Sequence, residues 1–156
     1  MVLDPIIGGY HFTRVLMDGG NNLNLIYQDT VRKMGIDPTK ICCSNATFKG
    51  VTRPGGSLQG SLLLEVIFGF PDNFRSENLT FHIAPFQSGY QALLGREAFA
   101  PFNTIPQYAS LMLKMPGPCG IITVNGNIER SLCAEDGAAA LAAAKRPHQL
   151  KHLIGR

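Results

Sequence analysis

The clearest candidate for chemistry in this chain is a single carboxylate. Asp18 closes the apolar run Val15-Leu16-Met17 and is followed by Gly19-Gly20. An acid at the end of an apolar strand, on a tight turn where the backbone can take positive φ and other groups can approach closely, is a candidate acid or base. Asp-Gly-Gly alone is more often an ordinary turn, so the elements around it must decide. The nearest rival, Asp136-Gly137-Ala138, lies in an alanine-rich stretch with no apolar strand before it.

Other reactive side chains are scattered. His11, His82, His148 and His152 have no metal-ligand spacing, and Cys42, Cys43, Cys119 and Cys133 contain no Cys-x-x-Cys pair. No metal and no cofactor is therefore expected. Free, partly buried thiols in an intracellular, cytoplasmic protein are the expected state of the cysteines. Asn45-Ala46-Thr47 and Asn78-Leu79-Thr80 match the glycosylation sequon. Residues 1–9 lack a basic segment followed by an apolar one, so no secretory signal is expected and the sequons carry no weight. The opening suits a piece cut from a longer polyprotein. No apolar run approaches the roughly 20 residues needed to cross a bilayer, so no membrane partner is expected.

The elements that position Asp18 belong to a mainly β protein. With 45% hydrophobic and 16% charged residues the composition is that of a globular chain, and 17 glycines and 10 prolines in 156 residues indicate many turns. Residues 11–17 (HFTRVLM) alternate as a strand, and residues 21–26 return to an apolar run. Residues 29–35 (DTVRKMG) suit a short helix stopped by Gly35, with Pro38 beyond it. Residues 46–51 and 57–68 form two strands around the polar tip Thr52-Arg53-Pro54-Gly55-Gly56, a β-hairpin. Residues 70–76 form a loop, and 79–84 and 91–94 form further strands. Residues 96–102 make a helical turn broken at Pro101. Residues 109–115 and 121–124 flank Pro116-Gly117-Pro118-Cys119-Gly120 as a second hairpin. Near Ser131 the composition turns to alanine, then to basic residues. This predicts a domain over 10–130 and a helical tail or linker over 131–156.

Charge follows the same division. Residues 145–156 carry Lys145, Arg146, Lys151 and Arg156 and no acid; without them ten basic residues face eleven acidic ones, a net charge of −1. A near-neutral body argues against nucleic-acid binding by the domain itself, and a solvated terminal helix accounts for the tail.

Taken together, the segment VLMDGGNNLNLIY resembles the active-site signature of aspartic proteases. Ala92-Leu93-Leu94-Gly95-Arg96 resembles the family's second signature, two or three aliphatics and a glycine. The glycine-tipped hairpin sits between them in the order the family uses. The stretches KMGID, PDNFRSENLTFHIA, ALLGREAFAPF and LKMPGPCGIITVNGN are similar to the protease region of plant gypsy-type (Ty3-like) retrotransposon polyproteins, over roughly residues 10–128.

The resemblance implies a retropepsin-like closed β-barrel with one or two short helices and a flap. It assigns the catalytic role to Asp18, the active-site loop to Gly19, Gly20 and Asn21, and support of that loop to Leu93, Leu94 and Gly95. The flap falls on Phe48, Lys49, Gly50, Val51, Gly55 and Gly56, closing over an extended peptide of the polyprotein. The chemistry needs two carboxylates sharing one proton around a water molecule. This chain supplies one such loop, so the resemblance implies a homodimer with Asp18 from each subunit at a two-fold axis.

Glycine at position 19 departs from the family's threonine or serine, whose hydroxyl bonds across the dimer. Two missing hydrogen bonds at about 0.5–1.5 kcal/mol each weaken dimerisation roughly 5- to 150-fold. Two functions stay open: an aspartic endopeptidase, or an impaired copy kept as a dimerisation or peptide-binding module. Gly19→Thr is expected to strengthen the dimer and raise cleavage.

Overall fold

The computed structural model describes residues 1–43, 47–48 and 56–127. The expected tail from residue 131 lies outside them, as does most of the hairpin tip. The main sheet has eight strands: β1 (Val2–Leu3), β2 (Ile6–Ile7), β3 (Tyr10–His11), β4 (Val15–Met17), β5 (Leu25–Tyr27), β8 (Ser61–Phe70), β9 (Asn73–Ala84) and β10 (Ala92–Leu94). A short pair joins β6 (Thr47–Phe48) to β7 (Gly56–Ser57). A three-stranded sheet is built from β11 (Ile105–Gln107), β12 (Met112–Gly117) and β13 (Gly120–Asn125). The helices are α1 (Gln28–Met34) and α2 (Phe99–Phe102).

The order β1-β4-β10-β5-β9-β8-β2-β3 explains the curl of the large sheet. β1 lies at one edge and β2 beside the other, yet only Asp4 and Pro5 separate them in sequence. Two residues span no more than about 10 Å, so the sheet must curl to bring β1 close to β2. The resulting half-barrel wraps a core that includes Phe12, Val15, Met17, Ile26, Val66, Phe81 and Leu94, all at most 2% exposed. Each such side chain contributes about 1.5–3 kcal/mol on burial, and Phe81→Ala alone costs about 3–5 kcal/mol.

The structure changes several sequence expectations. Residues 2–7 precede the expected domain start at 10 but are strands of the same sheet, with Val2 opposite Leu16 and Ile6 opposite Ile67. The strand expected over 11–17 is two strands. At the break the amides of Thr13 and Arg14 donate to the side-chain oxygen of buried Gln91, at 2.9 and 2.8 Å, in place of a strand neighbour. The loop expected over 70–76 does not exist. β8 and β9 pair without interruption from Ser61 opposite His82 to Phe70 opposite Asn73, leaving Pro71-Asp72 as the turn. The outer half of that ribbon buries little, so its polar composition imitates a loop. Gly69 closes it at φ 118°, where a Cβ would lie 2.5 Å from the carbonyl oxygen of Asn73.

Pro101 does not break a helix but lies inside α2. At the third position of a helix the missing N–H is one that has no intrahelical acceptor anyway. The strand expected from 109 begins at Met112, because Tyr108–Ser110 forms a 3-10 turn and Leu111 follows it in the left-handed region at φ 51°. β11, not expected, tolerates Pro106 as an edge strand. Gly35 ends α1 at φ 66°, as the sequence indicated. Cys42, Cys43 and Cys119 are free but exposed instead of partly buried: Cys119 sits on the turn between β12 and β13.

Candidate active site

Asp18 stands where a buried ladder runs out. β4 lies between β1 and β10, antiparallel to the first and parallel to the second, with Leu94 opposite Met17. The ladder extends one residue further: the amide of Asp18 donates to the carbonyl oxygen of Leu94 at 2.9 Å. Beyond this the chain reverses, and the amide of Asn21 donates to the Asp18 carbonyl at 3.2 Å. The Asp18 carboxylate accepts from the amide of Gly20 through Oδ1 at 2.9 Å, a local bond that fixes the side chain over its own turn. The side chain is exposed in the single chain. Arg32 pairs with Asp29 and Arg75 with Glu77; among the described residues no basic side chain pairs with Asp18.

The glycines are needed for close approach and not, as the sequence suggested, for unusual backbone angles: neither Gly19 nor Gly20 has positive φ. A Cβ on Gly20 would lie 3.2 Å from Oδ1 of Asp18. A Cβ on Gly19 would lie 3.0 Å from the hydroxyl of Tyr108 and 3.5 Å from two carbons of the Phe99 ring.

Beneath the turn, β10 is followed by Gly95, which touches the loop backbone directly. A Cβ there would lie 2.4 Å from the carbonyl oxygen of Leu23 and 2.6 Å from that of Asn21. The amide of Arg96 donates to Asn21 at 2.8 Å and that of Glu97 to Asn22 at 3.1 Å. The guanidinium of Arg96 also bonds the side chain of Asn22. The structure therefore brings Asp18, Gly19, Gly20, Asn21, Leu93, Leu94 and Gly95 into one unit.

Two residues were not singled out in the sequence. Asn24, 1% exposed, accepts from the amide of Gly95 at 2.9 Å and donates to the carbonyl of Thr80 at 3.2 Å. It thus ties the support strand to β9. Its one sequence signal is a polar residue interrupting the apolar run Leu23-Asn24-Leu25-Ile26. Tyr108 accepts from the amide of Gly19 at 3.0 Å across 89 positions of sequence, and nothing local announces it.

Of the expected flap, Phe48 pairs with Gly56 and Thr47 with Ser57 in an antiparallel ladder. Lys49, Gly50, Val51 and Gly55 lie outside the described residues. His82 lies on β9, half-buried.

No protein-family model and no curated protein matches the sequence. Among solved structures the chain is similar to the retroviral protease-like domain of Ddi1 from Leishmania major. Identity there is 11%, over 81% of this chain and 94% of that one, with a TM-score of 0.52. It is also similar to a retropepsin-like aspartic protease from Rickettsia conorii, at 15% identity over 80% of each chain, with a TM-score of 0.48. At such identities the likeness to the Leishmania domain bears on the fold alone. With the curled sheet, the two short helices and the aliphatic-glycine strand under an Asp-Gly-Gly turn, it gives the conclusion that this chain has a retropepsin-like fold.

Proposed function

We propose that the chain is an aspartic endopeptidase domain, active as a homodimer that joins two Asp18 turns around one water molecule. The observation that carries this reading is an exposed carboxylate on a turn held by backbone hydrogen bonds from buried strands. A carboxylate kept at the surface by a buried ladder is suited to meet something beyond its own chain. Among the described residues no second turn of this kind exists to complete a pair, so the partner carboxylate comes from a second copy.

In the dimer one carboxylate takes a proton from water as the hydroxide attacks the peptide carbonyl carbon. The other, protonated, gives its proton to the carbonyl oxygen. The tetrahedral intermediate then collapses: its C–N bond breaks and the nitrogen leaves with a proton delivered by the pair. Water is the only co-reactant, and no metal or cofactor enters. We assign the role of flap over an extended peptide to the hairpin that carries β6 and β7. The similarity of PDNFRSENLTFHIA and LKMPGPCGIITVNGN to gypsy-type plant elements supports a retrotransposon polyprotein as substrate, processed in the cytoplasm.

The test is cleavage of a precursor polypeptide by the purified domain at mildly acidic pH, with and without an aspartic-protease inhibitor. Wild type is expected to cut and Asp18→Asn not to. Equal cutting by both ends the enzyme reading. Absence of cutting by a wild-type protein that still dimerises favours the binding-module reading.

A further inference from the structure

We propose that Tyr108 is a positioning residue for Asp18, and that position 19 is glycine so that its phenol can reach the turn. This rests on the reading of Asp18 as the catalytic carboxylate.

The turn is held from two directions by different means. From below, main-chain groups of β10 and the residues after it bond Asp18, Asn21 and Asn22. The amide of Gly19 takes no part in that set. It donates instead to the Tyr108 hydroxyl at 3.0 Å. Tyr108 arrives on the 3-10 turn Tyr108–Ser110 after β11, a turn closed by the amide of Leu111 on the Tyr108 carbonyl at 3.2 Å. Tyr108 as a whole is 43% exposed, so burial of apolar surface is a weak reason for its placement. What the ring does complete is the hydrogen bonding of the residue next to Asp18.

Space at position 19 is set by the same contact. With a Cβ 3.0 Å from the hydroxyl and in ordinary contact with the Phe99 ring at 3.5 Å, a side chain there crowds the phenol and makes it give by a few tenths of an ångström. The hydroxyl accepts from the amide of Gly19, the residue next to Asp18. Partial burial, and the negative charge of Asp18 after it, hold the phenol above its ordinary pKa against the opposing pull of the Gly19 amide. The expectation that Gly19→Thr raises cleavage is thereby reversed: the new side chain competes with Tyr108 for one place.

The experiment is a double-mutant cycle of Tyr108→Phe, Gly19→Thr and both, reading peptide cleavage and exchange of the residue-19 amide by NMR. Tyr108→Phe is expected to lower kcat about 2- to 10-fold with KM unchanged, the worth of one hydrogen bond, and to speed that amide's exchange. Gly19→Thr is expected to lower kcat too, and the double variant to be no worse than the poorer single one. The proposal is overturned if Tyr108→Phe leaves exchange and kcat unchanged, if the two losses multiply, or if Gly19→Thr alone raises kcat. Should wild type cut nothing, the enzyme reading fails, while amide exchange in Tyr108→Phe still decides whether the phenol holds the turn.

Discussion

The two sides of the Asp18 turn are built from different material. Below it, Leu94, Arg96 and Glu97 meet the loop through main-chain carbonyls and amides at 2.8–3.1 Å, with no flexible group between, and the buried Asn24 side chain holds Gly95 to β9. Above it, a half-exposed phenol on a 3-10 turn makes the contact. A backbone seam cannot yield without moving strands, whereas a side chain can swing away and leave the fold intact. The lower side therefore specifies where Asp18 is, and the upper side how firmly its turn keeps one shape.

That contrast fixes an order of effects. Gly95→Ala is the most damaging substitution expected, because its Cβ meets two carbonyl oxygens at 2.4 and 2.6 Å with nothing able to give. A loss of about 3 kcal/mol or more, read by denaturant unfolding, is the expected outcome; a change under about 1 kcal/mol would break the comparison. Next comes Asn24→Ala, which strands the buried Gly95 amide and deprives the Thr80 carbonyl of a donor. It should cost about 2–4 kcal/mol by the same measurement. Tyr108→Phe should cost no more than about 1 kcal/mol, since its hydroxyl is partly solvated and its ring is kept.

The smallest effect is a titration. The Tyr108 phenol lies above its ordinary range chiefly through burial, the Gly19 amide pulling down and the Asp18 charge adding to the rise. A folded pKa raised this way contributes stability below the ordinary phenol value, lost as pH rises through the raised one. In alkaline ultraviolet titration, the difference between wild type and Tyr108→Phe should show a late-ionising phenol. Asp18→Asn should move it earlier, and an unmoved titration would mean that the charge does not reach the ring.

The same division governs what could be read from the sequence. Asp18, the glycines after it and Leu93-Leu94-Gly95 stand out because each is a short local pattern whose spacing carries meaning, and the structure places them together. α1 was legible for the same reason: apolar spacing and a terminal glycine are local. Tyr108 and Asn24 were not, since their contacts with the turn and with Gly95 span 89 and 71 positions, which no local pattern encodes. The two-residue strands near the N-terminus escaped because alternation cannot be recognised over so few residues. The outer part of β9 escaped because a strand that buries little has a loop's composition.

The central claim is that one working site takes a carboxylate from each of two chains, and subunit mixing tests it most directly. Wild type and Asp18→Asn would be unfolded together, refolded at a fixed total concentration in varied ratio, and assayed for peptide cleavage. If both Asp18 side chains are needed, activity follows the square of the wild-type fraction, so an equal mixture keeps about one quarter. Activity that falls only in proportion, keeping about one half, would mean that each chain works alone and would contradict the account.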